Sequence, residues 1–310
     1  MTVADPEIRQ ALEVLDVRLK TLLPEEYRDV YEDVQPISMG TAALKFDIDG
    51  QVAWDRMWGS FCDLAMAGGP PHRGTLLEPG TEAEIDAQFG CYDFVGEEVC
   101  RGIRLVTNLR TYVAPTPGWV CVTCSGDAMA DWLVRAIVME NVAARGDGVM
   151  LDLPAASHFR LEKEIKNVVT VIAKTVHYWT GHMPRSQKWD ITNLFAQLAD
   201  DCPLIEPALA RDDVRAAANE AVASAMGERI QRQTGLRAWS DMYPGWLGLE
   251  CPSVRAAVWM MRAVVAGNIL SRREGTVLFV PVNPQSDPAG DGVVKAVATV
   301  HRLAGARGVL

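Results

Sequence analysis

The sequence predicts an α/β protein, a pseudo-symmetric duplication (extended in outline to a triplication) of one α-β-α-β-α unit around a mostly parallel or mixed sheet. Three observations predict it. Residues 117–154 and 244–281 align without a gap at an offset of 127, with 14 identities in 38 positions. Average composition would give roughly two or three. Each copy carries a Pro-Gly turn, a short apolar run, a run of helix formers, and a second apolar run. The 310 residues are 49% hydrophobic and 23% charged, the balance of an ordinary folded domain.

In chain order, residues 1–50 supply a leading helix and a strand near 44–48. A degenerate third copy is read over 45–84, where Trp58 and the run His72-Arg73-Gly74-Thr75 keep the spacing of Trp259 and Arg273-Glu274-Gly275-Thr276. Gly68-Gly69-Pro70-Pro71 would end any helix there early. The first full copy is placed at 85–180 and the second at 212–305. Within the first, Pro117-Gly118 launches a strand over 119–124, and 128–145 holds no Gly or Pro and reads as a helix. Gly146 and Gly148 stop that helix, and 149–153 is a buried-type strand matched by 276–280. Strand, helix and apolar strand in succession predict a βαβ crossover with parallel pairing. A closing helix over 159–179 places Leu161, Ile165, Val168, Val169, Ile172 and Val176 on one face. The segment 181–211 has no counterpart and reads as an inserted helix and loop. One compact domain over 1–310 is the expected organisation.

The net charge of −10 argues against non-specific binding of nucleic acid or anionic lipid. There is no signal-peptide core and no run of apolar residues long enough to span a bilayer, so a cytoplasmic protein is expected. The 7 cysteines are scattered through apolar segments and read as buried thiols. Cys121 and Cys124 have C-x-x-C spacing, but on a strand they point to opposite faces, which disfavours a redox or zinc pair. Dinucleotide, Walker, nucleophile-elbow, zincin and EF-hand motifs are all absent. No cofactor is implied.

A duplication sorts polar residues. Arg135, Asn141 and Arg145 recur as Arg262, Asn268 and Arg272. On the expected helix Asn141 and Arg145 stand one turn apart, either satisfying the fold or forming a donor fork for a carboxylate or phosphate. Asn167, Thr170, Lys174 and His177 make a polar stripe at helical spacing, read either as a solvated face or as a site. Lys174 beside His177 supplies a general acid or base with a cationic neighbour. His72 and Arg73 follow the Gly-Gly-Pro-Pro turn, whose exposed backbone either cradles an anion or simply connects. His177 and His182 stand five residues apart, not a recognised ligand spacing, so no metal site is assigned.

Three functions compete. The first is a metabolic enzyme of transferase or hydrolase class acting on a small anionic molecule where the copies meet. Lys174 and His177 would be catalytic, and Arg135, Asn141, Arg145, Thr170, Asn167, His72 and Arg73 would bind substrate. The second is a non-catalytic small-ligand-binding or regulatory protein, and the third a structural or assembly partner. Trp54, Trp58, Trp179, Trp189 and Trp239 are not explained by the repeat and call for cover, which points to a homo-oligomer or a pocket.

Overall fold

The Pro117-Gly118 turn signal before the expected strand is borne out in the computed structural model, where it joins that strand to a preceding one in a hairpin. The structure describes residues 6–28, 43–57, 75–208 and 213–310. β1 (Arg110–Val113) and β2 (Trp119–Thr123) pair antiparallel, with Thr111 opposite Val122. Gly118 has φ +87°, and a Cβ there would come within 2.6 Å of the Gly80 carbonyl oxygen. Only glycine fits both demands.

The chain divides into two compact units, 34–185 (the central unit) and 1–33 with 186–310 (the split unit). In the central unit, α2 (Glu82–Ala87) and α3 (Phe89–Thr107) precede β1 and β2. Then follow α4 (Asp127–Val138), β3 (Arg145–Asp147), β4 (Met150–Pro154) and α5 (Lys166–His177). The strand order is β1-β2-β4-β3 and every neighbour is antiparallel. The split unit holds α1 (Pro6–Leu22), α6 (Arg185–Asp201), α7 (Asp213–Thr234), β5 (Ala238–Tyr243), β6 (Trp246–Glu250), α8 (Val254–Val265), β7 (Arg272–Glu274), β8 (Val277–Pro281) and α9 (Asp291–Arg307). Its sheet runs β5-β6-β8-β7, again antiparallel throughout.

These two separate four-stranded antiparallel sheets overturn the expectation of one duplicated α-β-α-β-α unit around a mostly parallel or mixed sheet. The order in each unit is α-β-β-α-β-β-α. The physical reason lies after α4. Asn141 takes φ +61° and Asn268 φ +65°, left-handed values that asparagine tolerates and most residues avoid. The helix therefore ends at Val138 rather than running to position 145, and Arg145 opens β3 instead. A two-residue turn beginning at Gly148 (φ +54°) then folds β3 back on β4, with Asp147 opposite Met150. The hairpin reverses the direction that a crossover would have kept. Expected strands and helices also shift. The strand near 44–48 is a single bridge between Phe46 and Val52, and the closing helix is α5 flanked by π-helical turns at Leu161–Ile165 and Tyr178–His182. Trp58, His72 and Arg73, on which the third copy rests, lie outside the described residues.

Strand alternation sets the layers. Val120, Val122, Leu151 and Leu153 are fully buried beneath α3 and α4, as Leu247, Leu249, Leu278 and Val280 are beneath α7 and α8. Each contributes roughly 1.5–3 kcal/mol by leaving water. The third helix, α5 or α9, packs across the other two. Extended arms dock alike in both units. Leu77 N–H donates to the Asn141 carbonyl at 2.9 Å, and Ile205 N–H donates to that of Asn268 at 3.1 Å. Among the described residues no helix is long and apolar enough to cross a membrane.

Glu164 closes the first π turn. Burial alone would raise its pKa, but the Arg160 side chain and backbone N–H outweigh that and lower it to about 2, from an ordinary 4.5. A carboxylate depressed in this way contributes stability above its unfolded pKa and loses it as pH falls through the folded one. Glu164→Gln is therefore expected to lower stability at pH 7, with the difference from wild type closing between about pH 4.5 and 2. Urea titrations across that range measure it; a gap that does not depend on pH contradicts it.

Arg272 is fully buried, 2.6 Å from Glu274 and over the rings of Phe279, Tyr243 and Trp246 at 4.0, 4.3 and 5.1 Å. Arg145 is partly open, on Trp119 at 4.4 Å and Asp152 at 2.8 Å. Arg272→Ala is expected to cost about 3–5 kcal/mol, and Arg145→Ala about 1 kcal/mol. Unfolding followed by tryptophan fluorescence gives both values, and equal losses would refute the distinction.

Candidate functional site

The repeated polar residues sit in the framework. In β3 Arg145 is the register partner of Asp152, and in β7 Arg272 is the partner of Phe279. Each guanidinium lies over the tryptophan that follows its unit's Pro-Gly turn, Trp119 or Trp246. Arg135 is buried on α4 and donates back to the Asp131 carbonyl at 2.7 Å. Asn141 and Asn268 serve the turn after the helix, and Asn268 Nδ2 also donates to the Cys202 carbonyl at 2.8 Å. Asn141 and Arg145 do not share a helix face, because Arg145 is on a strand.

The stripe on α5 is brought together differently from a solvated face. Thr170 is buried and its hydroxyl donates to the Lys166 carbonyl at 2.6 Å. Lys174 is 5% exposed and its Nζ meets Glu140 Oε1 at 2.5 Å. Asn167 is half-buried on the same helix. His177 turns toward His182, with their Nε2 atoms 3.1 Å apart. Sequence reasoning missed Glu140. A signal existed, for the counterparts of Glu140 and Lys174 in the second copy are Gly267 and Ala298, so both charges come and go together.

Two cysteines of the C-x-x-C spacing are poor nucleophiles. Burial pushes Cys121 up to about 11 and Cys124 up to about 12, so both are protonated at neutral pH. Of the tryptophans that the repeat left unexplained, Trp54 is buried with Nε1 donating to Glu98 at 2.8 Å, and Trp179 is buried against Trp132 at 5.8 Å. Trp189 is 67% exposed on α6.

The split unit has a second candidate that the sequence did not reveal. A groove of about 670 Å³ runs beside α1, α8 and α9, walled by Leu15, Ala263, Val264, Val300 and Leu303. A trough of about 740 Å³ on the other flank of α9 is lined by Arg229, Arg302 and His301. Lys295 and Thr299 line both. Arg229 is held by Asp291 at 2.5 Å and the Ala289 carbonyl at 3.0 Å. Burial lowers the pKa of His301, which favours its neutral form. Helical spacing explains the arrangement, since Lys295, Thr299 and Arg302 follow at steps of four and three along α9.

Comparison with family models, characterised proteins and solved structures finds no match.

The Lys174–Glu140 pair yields a direct test. Removing one member of a buried ion pair strands the other charge, whereas removing both does not. Lys174→Met is expected to cost about 3–5 kcal/mol, and Lys174→Met with Glu140→Leu to recover most of that. Thermal unfolding of the four proteins in the cycle reads the coupling; additive losses would show that the two charges do not depend on each other.

Proposed function

We propose that this chain is a non-catalytic binding protein for a small anionic ligand with an apolar portion, taken up on α9 of the split unit. The observation that carries this reading is an apolar groove and a cationic trough on the two flanks of α9, with Lys295 and Thr299 lining both. In a chain of net charge −10, Arg229, Lys295 and Arg302 gather there against Asp291. The groove's volume falls within the roughly 300–1,000 Å³ of small-molecule sites. An apolar wall gives affinity without direction, and a lysine at its edge fixes which end of the ligand is charged.

The catalytic reading draws less support from the geometry. Lys174 is neutralised by Glu140, and Arg145 is held by Asp152 and Trp119. Proton transfer to a substrate would first have to break the Lys174 pair.

Titration with 8-anilinonaphthalene-1-sulfonate, an apolar anion, tests the proposal by fluorescence. Lys295→Glu is expected to weaken binding about tenfold, the scale of reversing one charge near a protein surface. Ala296→Trp, which fills the groove from α9, is expected to weaken it by at least as much. Lys174→Met combined with Glu140→Leu, the pair that keeps most of the stability, is expected to leave it unchanged. Equal affinity in the wild type and both α9 variants would overturn the assignment.

A further inference from the structure

On an α-helix, residues five apart stand about 140° apart around the axis and cannot share a ligand. The chain escapes that rule at the end of α5. There Tyr178–His182 forms a π-helical turn, closed by the Met183 N–H donating to the Tyr178 carbonyl at 3.1 Å. The wider turn carries His182 back over His177. Their rings lie 4.8 Å apart between centroids at an interplanar angle of 67°, with Nε2 facing Nε2 at 3.1 Å. The feature belongs to one copy only: α9 continues through the corresponding stretch as an α-helix, and the counterpart of His182 is Ala306.

We propose that His177 and His182 together bind a borderline divalent cation of the zinc and copper(II) class. Imidazole nitrogens coordinate such ions at about 2.0–2.1 Å. Two ligands at that distance, separated by the angles of octahedral to tetrahedral coordination, stand about 2.8–3.4 Å apart. The observed separation of 3.1 Å lies in that interval. Both rings are half-buried, so an ion can reach them from solvent while the π turn holds their orientation. Among the described residues no group of three or more His, Cys, Asp or Glu gathers as a metal cage. Among the described residues the two imidazoles supply the protein ligands, and water fills the open positions. Such a site exchanges ligands, unlike a closed structural zinc. It is independent of the α9 surface.

The test is calorimetric titration of Zn(II) and of Cu(II) into the whole chain. Cys91 and Cys202, both exposed, are replaced by serine throughout to remove competing thiols. The expected result is one equivalent bound, copper(II) tighter than zinc as the Irving–Williams order requires. His177→Ala and His182→Ala should each weaken binding by more than about tenfold, with circular dichroism unchanged. Nitrogen-15 shifts of both Nε2 atoms should move on zinc addition. Failure of the parent to bind either ion, or binding that survives His177→Ala with His182→Ala, overturns the proposal.

Discussion

The antiparallel pairing of β2 with β4, and of β6 with β8, is the constraint from which the other features descend. It requires the chain to leave α4 or α8 and reverse once more before entering the sheet. A left-handed asparagine and a glycine turn achieve that in a few residues. The short strand made on the way, β3 or β7, carries an arginine back across the outer face of the sheet. There the arginine meets the tryptophan just after the Pro-Gly turn. Turn, strand and stacked pair thus form one mechanism, used in each unit with different neighbours. Asp152 completes it in the central unit, and Phe279 with Glu274 in the split unit.

Much of this was legible in the residues. The offset of 127 locates matching turns, apolar strands and helices, and the structure gives the segments after Pro117 and Pro244 the same element order and strand pairing. Strand direction was not legible from periodicity, because an apolar run buried on one side of an antiparallel sheet resembles a parallel strand when its outer face is also covered. Trp119 and Cys121 are buried on that outer face. β1 and β3 were missed because charged residues, Arg110 and Arg145, open them, and because the helix pattern ran on past Asn141. Gly148, a glycine at the first position of a two-residue hairpin loop, was the available correction.

The candidate sites were legible only in part. Lys174 and His177 do stand one turn apart on a helix, but the partner that buries Lys174 comes from a residue with no periodic signature. His182 joins His177 only because the helix widens, and nothing in a count of five residues announces a π turn. The α9 surface escaped notice for a different reason. Its groove depends on α1, which is more than 250 residues away in sequence, and no helical wheel brings such segments together. What one copy gains in charge the other loses: Glu140 and Lys174 face Gly267 and Ala298 in the alignment. The copies have kept one framework and placed different chemistry upon it.

Strand direction is the claim most open to direct observation. In antiparallel sheets the Hα atoms of non-hydrogen-bonded pairs lie close together. The bonds from Ala155 N–H to the Gly118 carbonyl and from Cys124 N–H to the Val149 carbonyl fix which pairs those are. Nuclear Overhauser spectra of the whole chain should show Hα–Hα contacts between Cys121 and Asp152 and between Thr123 and Met150. The same contacts should join Gly248 to Phe279 and Glu250 to Val277. Spectra that lack all four, and instead show the staggered contacts of parallel strands, would contradict the fold and the turn mechanism with it.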